Sequence, residues 1–468
     1  MSIAFTPLCI DGTSRPASTD AQYDVHNPYS QAVIGHAAAA SSQDCHDAID
    51  TAAAAFPDWE HSPLTKRQDV FIKASELLMT PKYQEKISKA LKEELAFTDF
   101  MVGFEVMASV YNLRHNATLV HQLKGEVKPS LIPGGQMMIQ KRAMGVILAL
   151  APWNVPLALA FRAVLIPIIC GNTVALKCSA VSPRIQSLIG QIFQEAGLPK
   201  GVLNTISIAE EDISKRMAEM IDHPALRKIN FTGGPNVGRA IAMEAVKHLK
   251  PYVLELGGNC PVIVLEDADL ESAAQSITTG GLMNSGQICM WTQHVIVQRG
   301  VLRSLTSSLV KSFEESAERV LKIIREAKDA GARILVGDMA RQTSVVQPHL
   351  LADVKPGMAL WDEECFRPVV TLTAVDTIDE AVRLANTCDY SLMAGLWTQN
   401  IHTALEIAPR VRAGYINING QSVHGEGPMG GLSGLLGYGQ FTISEFTDDR
   451  VLLLHPQTSP VYWIAGAA

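Results

Sequence analysis

The sequence predicts an α/β protein with two doubly wound, Rossmann-type domains and a separate small β hairpin. From about residue 145, short apolar runs alternate with stretches of helical periodicity, and the alternation resumes between about 294 and 420. Short apolar strands that alternate with helices favour a parallel sheet covered on both faces. The earlier segment GEVKPSLIPGGQMMIQKRA instead predicts a hairpin outside the main sheet.

The first α/β section opens with the strand GVILALA and a helix over residues 156–169. The strand TVALK follows, then a helix over roughly 184–196, then the strands GVLNTIS and RKINFTG. YVLELGG and PVIVLEDADL come next, and the second leads into a helix from about residue 269. Tight Gly-rich turns join these elements, as expected for a compact α/β unit.

The second α/β section contains the strands HVIVQ, PVVTLTAV and YININ, which helical patterns separate. Residues 1–142 are more mixed, with an Ala-rich helical stretch at 38–57 and a charged one at 83–95. The sequence shows neither a low-complexity linker nor a short internal repeat. We therefore expect domains that are joined by turns.

Composition and charge restrict the class of function. The 468 residues are 47% hydrophobic and 18% charged, with a formal net charge of −8. This is an ordinary globular balance, with enough chain for roughly three domains of about 150 residues. The acidic charge argues against a nucleic-acid partner or an anionic membrane surface, so a small molecule is the expected partner.

Neither a membrane span nor a metal site is expected. The apolar stretch 145–171 approaches a membrane span in length, but Pro152, Asn154, Pro156 and Arg162 interrupt it. The N-terminus lacks the features of a signal peptide. The eight cysteines form no C-x-x-C pair, and the thirteen histidines show no ligand spacing. These features argue against zinc and disulfides and favour a reducing, cytoplasmic setting.

Cys289 stands in an unusual context for a cysteine. The motif NSGQICM places it behind a polar lead-in, in which Gly286 permits close backbone approach and the amides of Asn284 and Gln287 can anchor a loop. A cysteine in a core usually has apolar neighbours on both sides. Two interpretations stay open at this point: a small buried hydrophobe and a nucleophile that the loop presents to a substrate.

The turn FTGGPNVGR follows a strand and opens a helix. Gly233, Gly234 and Gly238 would let the backbone approach a phosphate, and the helix start offers free N–H groups. A plain strand-to-helix turn is the alternative. Lys177 ends TVALK at the expected ligand edge of the sheet. Taken alone, it is better explained as a lysine whose stem packs while its head reaches water.

Glu255 and Asn154 complete a chemical set with Cys289. Glu255 lies in an apolar strand, where a carboxylate either pairs with an Arg or Lys or acts as a general base whose pKa burial raises. Asn154, in the motif PWN, is either a turn former or an oxyanion donor. A nucleophile, a base and an amide donor make one coherent set, which favours the functional interpretation.

With this set the sequence resembles the NAD(P)-dependent aldehyde dehydrogenase superfamily. PWNVP, FTGGPNVG, LELGG, NSGQICM and EECFRPV occur in the family's order along nearly the whole chain. GQICM and RKINFTGG are most similar to the salicylaldehyde, benzaldehyde and vanillin dehydrogenase branch. The resemblance implies that Cys289 is the catalytic thiol, Glu255 the general base and Asn154 the oxyanion-hole amide.

The resemblance also implies a site for NAD or NADP. Lys177 would meet the adenosine ribose, and Glu364 and Phe366 would hold the nicotinamide ribose and ring. The other implied cofactor-binding positions are Trp153, Gly233, Gly234, Gly238 and Leu256.

The implied fold has three parts. An NAD(P)-binding domain would span 1–125 and 144–254, a catalytic domain 255–447, and an oligomerisation arm 126–143 and 448–468. The arm implies a homodimer or homotetramer.

The implied activity is oxidation of an apolar, aromatic aldehyde to the acid through a thiohemiacetal and a thioester on Cys289. Ile288 and Met290, which flank the thiol, favour an apolar substrate, and the segment 419–428 is expected at the pocket mouth.

Several positions depart from the family pattern. Ala180 stands where a Glu usually binds the adenosine ribose, which opens the site to NADP. Gly234 replaces a Ser, Arg367 replaces a Gly beside the nicotinamide region, and the chain is short near 313–316. A cofactor-independent ester or thioester hydrolase and a catalytically idle homologue are therefore the alternative functions.

Overall fold

The computed structural model describes residues 4–132, 134–310, 333–336, 347–387, 392–423 and 437–456. Parts of three sequence-based predictions lie outside these residues: the short region near 313–316, the pocket-mouth segment beyond residue 423, and the arm beyond residue 456.

The strands are numbered in chain order: β1 Ala4–Thr6, β2 Leu8–Ile10, β3 Thr13–Arg15, β4 Gln22–His26, β5 Val33–Ala38, β6 Glu126–Pro129, β7 Gln136–Ala143, β8 Val146–Leu150, β9 Thr173–Lys177, β10 Leu203–Ile206, β11 Leu226–Thr232, β12 Tyr252–Glu255, β13 Cys260–Val264, β14 Thr292–Gln298, β15 Arg333–Val336, β16 His349–Ala352, β17 Val369–Val375, β18 Met393–Trp397, β19 Tyr415–Ile418, β20 Gly437–Tyr438 and β21 Thr447–Leu454. The helices are α1 Ser42–Glu60, α2 Leu64–Leu78, α3 Pro81–Leu95, α4 Asp99–Thr118, α5 Pro156–Ile169, α6 Pro183–Ala196, α7 Ile213–Asp222, α8 Pro235–Lys247, α9 Leu270–Leu282, α10 Leu302–Val310, α11 Ala359–Asp362, α12 Ile378–Ala385 and α13 Ile401–Ile407.

The first large sheet reverses its strand order about β8. Among the described residues its order is β20-β12-β11-β8-β9-β10-β2-β3. Strands β8 to β12 run parallel, and β20, β2 and β3 add antiparallel edges. After β8, the chain adds β9 and β10 on one side of this strand and then β11 and β12 on the other side. The switch point between β8 and β11 is where such a sheet forms its ligand crevice, beyond the carboxyl ends of the strands.

Helices cover both faces of this sheet. Ile147 and Ala149 of β8 pack with α2 to α6, whereas Leu148 and Leu150 pack with α1, α7 and α8. Successive strand residues point to opposite faces, so a strand buried on both faces has to be apolar throughout. This explains why GVILALA reads as an unbroken apolar run.

The second large sheet has the order β15-β16-β17-β14-β13-β18-β19 among the described residues, and only β15 is antiparallel to its neighbour. One face packs against α11 to α13 and the other against α9 and α10. The predicted second α/β unit is therefore confirmed.

Two small sheets complete the described fold. β21, β7 and β6 form one antiparallel sheet, and β1, β5 and β4 form the other. The pairing of β6 with β7 confirms the predicted hairpin. The domain boundaries stay predictions, and β20 departs from them in one respect: it lies within 255–447 yet pairs with β12 of the first sheet.

Candidate active site

The predicted catalytic residues lie where the carboxyl edge of the first sheet meets the amino edge of the second. β12 ends at Glu255, and residues 256–259 lead directly into β13. Asn154 follows β8, and Cys289 precedes β14. Gly258 allows the close approach, because a Cβ atom at this position would overlap the Cys289 carbonyl oxygen.

The buried carboxylate of Glu255 pairs with Arg162 of α5. Nη2 of Arg162 donates to Oε2 of Glu255 and, at 3.0 Å, to Oγ1 of Thr232. The guanidinium carbon also lies 4.5 Å from the ring centre of Phe441. Oε1 of Glu255 is buried and accepts no hydrogen bond from a nitrogen donor in the part of the chain that the structure describes. Glu255 therefore pairs with an arginine, as one of the two interpretations of the sequence expected. Its other carboxylate oxygen can still act as a base.

The Cys289 thiol is desolvated and close to Glu255. Burial raises the pKa of the Cys289 thiol well above its usual value. The negative charge of Glu255 and a hydrogen bond with its carboxylate raise this pKa further, while the Arg162 guanidinium acts in the opposite direction. The thiol is therefore protonated at neutral pH. Since the thiolate is the nucleophile, catalysis needs a nearby base, and Glu255 is the adjacent carboxylate.

Asn154 is held against the loop that carries Cys289. Its Nδ2 donates to the Gln287 carbonyl oxygen at 2.8 Å, and Nδ2 of Asn284 donates to the Asn154 carbonyl oxygen at 2.7 Å. Nε2 of Gln287 also donates to the Asn284 carbonyl oxygen at 3.0 Å. The prediction that the two amides of this motif anchor the loop is confirmed. Among the described residues, Asn154 makes no other side-chain hydrogen bond, so one of its N–H groups is left for a ligand.

The glycine turn after β11 lies on the other side of the switch point. α8 begins at Pro235, and no side chain of the described residues caps its start, which suits the helix for phosphate binding. The Gly233 N–H donates to the Glu255 carbonyl oxygen at 3.0 Å. A Cβ at Gly233 would clash with Phe231, and one at Gly238 would clash with Leu256, whereas Gly234 is open. Two of the three glycines therefore have a packing reason, and their phosphate contacts stay predictions.

Lys177 ends β9 at the same edge of the sheet. Burial lowers the pKa of Lys177, and the ammonium forms no ion pair or hydrogen bond with any residue that the structure describes. Lys177 is only partly buried, so the alternative of a packed stem with a head that reaches water stays open. A desolvated ammonium without a carboxylate partner suits the hydroxyl groups of a ligand.

The predicted nicotinamide-side residues also lie together. Oε1 of Glu364 accepts a hydrogen bond from the Gly258 N–H at 3.0 Å, and the rings of Trp153 and Phe366 meet edge to face at 6.1 Å. Phe366 has φ +53°, and Nη1 of Arg367 donates to its carbonyl oxygen at 2.7 Å. Leu256 is buried and lies against Gly238.

The sequence analysis missed the contribution of two charged residues, Arg162 and Glu105. Arg162 was noted only as an interruption of an apolar run, although a lone cation in the helix PLALAFRAVLIPII is itself a signal for a buried partner. Glu105 of α4 is fully buried, and its carboxylate accepts hydrogen bonds from the N–H groups of Leu157 and Ala158 at 3.3 and 2.8 Å. It thereby caps α5, which has no cap of its own.

The described residues contain no group of three or more His, Cys, Asp or Glu side chains that could hold a metal. No helix among them is both long and apolar enough to cross a membrane. None of the seven described cysteines forms a disulfide bond.

The chain is similar to known proteins along almost its whole length. Residues 15–317 and 313–449 match the aldehyde dehydrogenase family, and the break between the two segments coincides with the region where the sequence is short. Vanillin dehydrogenase from Pseudomonas fluorescens is 36% identical, over 97% of this chain and 99% of that protein.

Solved structures agree with this. A salicylaldehyde dehydrogenase from Pseudomonas putida G7, complexed with salicylaldehyde, superposes with a TM-score of 0.93 at 31% identity, over 98% of this chain and 99% of that chain. An NAD-dependent aldehyde dehydrogenase from Sinorhizobium meliloti has a TM-score of 0.92 at 26% identity, over 98% of this chain and 96% of that chain. The predicted fold is confirmed, and the chain belongs to the aldehyde dehydrogenase family of enzymes.

Proposed function

We propose that this enzyme oxidises an apolar, aromatic aldehyde to the carboxylic acid, with NAD or NADP as hydride acceptor. One observation carries the proposal: the partly buried thiol of Cys289 lies against the buried carboxylate of Glu255, whose Oε1 is not bonded to Arg162, at the ligand edge of a doubly wound sheet. The amide of Asn154 adjoins the same loop. Addition of a thiol to an aldehyde and hydrolysis of the resulting thioester require a nucleophile, a base and an oxyanion donor.

The chemistry of these residues follows from their environment. Glu255 accepts the thiol proton, and the Cys289 sulfur attacks the aldehyde carbon to give a thiohemiacetal. Nδ2 of Asn154 and the Cys289 N–H stabilise its oxyanion. A nicotinamide held by Glu364 and Phe366 would supply the acceptor for the hydride that leaves as the oxyanion collapses. After Glu255 has passed the thiol proton to solvent water, it deprotonates the water that hydrolyses the thioester.

Apolar side chains beside the nucleophile support the substrate class. Ile288 is buried, and Phe104, Leu159 and Met290 pack, only partly buried, around the cluster to which it belongs. Ile288 and Met290 flank Cys289 in the chain, and apolar groups next to a reactive centre favour an apolar ligand. The similarity to vanillin and salicylaldehyde dehydrogenases supports an aromatic one.

The residues present fit a dinucleotide. The uncapped start of α8 suits its pyrophosphate, Lys177 suits its ribose, and Glu364 lies close enough to Cys289 for its charge to raise the pKa of the thiol. Ala180 offers no carboxylate to the adenosine ribose, so it neither favours NAD nor repels a 2′-phosphate. NADP therefore stays a candidate alongside NAD.

The test is nicotinamide absorbance during incubation of the purified protein with aromatic and aliphatic aldehydes, with NAD and NADP in separate assays. We expect reduction of at least one cofactor, faster with the aromatic aldehydes, and no reduction by Cys289→Ala. A folded parent protein that reduces neither cofactor but hydrolyses an activated ester through Cys289 would replace this proposal with the hydrolase alternative.

A further inference from the structure

A closed ring of hydrogen bonds joins the predicted oxyanion donor to the loop of the nucleophile. The Asn154 side chain donates to the Gln287 carbonyl at 2.8 Å, and the Gln287 backbone N–H donates to the Asn284 carbonyl at 3.0 Å. The Asn284 side chain closes the ring by donating to the Asn154 carbonyl at 2.7 Å. Asn154 therefore has its backbone fixed by one residue of the loop and its side chain fixed by another.

The backbone of the loop is unusual at this point. Asn284 and Ser285 have φ/ψ of 51°/38° and 55°/36°, and Gly286 has φ +71°. Three successive left-handed residues turn the chain sharply just before Cys289. Asn is among the side chains that tolerate this conformation. The side-chain amide of Asn284 also donates a hydrogen bond to the Asn154 carbonyl. Ser285 makes no side-chain hydrogen bond to any described residue.

The opposite side of the loop is blocked. A Cβ atom at Gly286 would overlap the carbonyl group of Arg367, and one at Gly258 would overlap the Cys289 carbonyl oxygen. The loop is therefore confined between the Asn154 turn, the residues at 366–368 and the crossing between the two sheets. Its left-handed turn is supported from three directions, as strained backbone at a functional site has to be.

We infer that Asn284 is a positioning residue, which sets the place of Asn154 relative to Cys289 and acts on the reaction through Asn154. This inference rests on the proposed function, in which Asn154 stabilises the oxyanion. Asn284 itself is bonded to a backbone carbonyl, away from the reacting atoms. A donor that is displaced by a fraction of an ångström loses much of its value in the transition state.

Two glycine substitutions make a matched pair for the test. Asn284→Gly and Ser285→Gly both put glycine at a left-handed position of the same loop, so their effects on backbone preference are similar. Only Asn284→Gly removes a hydrogen bond to Asn154. We expect Asn284→Gly to lower kcat roughly 10- to 100-fold, with little change in the KM for the aldehyde, and Ser285→Gly to stay within about twofold of the parent enzyme.

Combination with Asn154→Ala separates positioning from a general structural role. Asn154→Ala alone should lower kcat by about 10² to 10³. If Asn284 acts through Asn154, adding Asn284→Gly to Asn154→Ala should cost no more than about twofold. Additive losses in the double variant, or an equal loss in Ser285→Gly, would overturn the inference.

Hydrolysis of p-nitrophenyl acetate without cofactor gives an independent readout. Acyl transfer from the ester to Cys289 forms an oxyanion at the same place, so the order of the variants should be the same. If the parent hydrolyses the ester but reduces no cofactor, the dehydrogenase proposal fails while the test of Asn284 still stands. Thermal unfolding of each variant confirms that the comparison is made between folded proteins.

Discussion

At the scale of single residues, the site combines a protonated thiol with a carboxylate that has a guanidinium on only one of its oxygens. Arg162 donates to Oε2 of Glu255, and among the described residues no nitrogen donor is bonded to Oε1. Removing one member of such a buried pair leaves an uncompensated charge. Arg162 stabilises the buried Glu255 carboxylate through one oxygen only. The other oxygen can accept a proton, as a general base must.

Glu255→Gln should change two rates in opposite directions: alkylation of Cys289 should become faster, and aldehyde turnover should be lost. Glu255 raises the pKa of Cys289, so Glu255→Gln should lower that pKa and increase the thiolate fraction below it. Alkylation by iodoacetamide without cofactor should become faster, roughly threefold for each unit by which the pKa falls, while aldehyde turnover is lost.

The measurement is the rate of iodoacetamide incorporation at pH 7 to 9, followed by mass spectrometry. Cys289→Ala identifies the site of labelling. Slower alkylation of Glu255→Gln would mean that Glu255 promotes thiolate formation in the resting enzyme, which contradicts the electrostatic account.

At the scale of elements, two buried glutamates hold the helices that follow the ligand edge. Glu105 of α4 caps α5, and Glu94 of α3 accepts the N–H groups of Arg184 and Ile185 at 2.8 and 3.0 Å, which caps α6. Neither helix has a capping side chain of its own. Both caps come from the helical pair α3 and α4, which thereby supports the turns at Asn154 and Ala180 from outside the sheet.

Burial raises the pKa of Glu105 to about 8, from 4.5, while the N–H groups of Ala158 and Leu157 lower it. A folded-state pKa above the unfolded value means that this group's stability contribution is complete below pH 4.5 and is lost as the pH rises to about 8. Glu105→Gln removes this titration. The free energy of unfolding of the variant relative to the parent should therefore rise between pH 5 and 8, by at most about 1.4 kcal/mol per pH unit.

Urea unfolding at a series of pH values tests this. Glu76→Gln, at an exposed position of α2, is the control and should show a constant difference from the parent. A constant difference for Glu105→Gln as well would show that Glu105 keeps one ionisation state over this range.

The elements differ in how well the sequence predicts them. The helices at 156–169 and 183–196 and the strands at their flanks follow from short apolar runs between Gly and Pro turns. The helix α4 was missed because apolar residues surround its whole circumference, so that no 3.6-residue periodicity marks a face. Pairs such as Glu105 with Leu157, or Arg162 with Glu255, lie 52 and 93 residues apart in the chain, and only the fold brings them together.

At the scale of the whole molecule, the arm sheet has an apolar edge. Its strands are ordered β21-β7-β6 within the described residues, which leaves β21 at one edge. Val451, Leu453 and Leu454 of this strand are 51%, 51% and 57% exposed. An edge strand with a continuous apolar run is a template for pairing with another chain. This edge is therefore the candidate contact surface of the predicted homodimer or homotetramer.

A charge on this edge should therefore reduce association. Leu453→Asp places a carboxylate in the exposed apolar run of β21, where an interface would have to bury it unpaired at a cost of several kcal/mol. We expect a smaller species by light scattering coupled to size-exclusion chromatography, with unchanged far-UV circular dichroism. Leu64→Asp, at the first residue of α2 where the helix start tolerates a carboxylate, should keep the mass of the parent. An unchanged mass for Leu453→Asp would place the association surface away from β21.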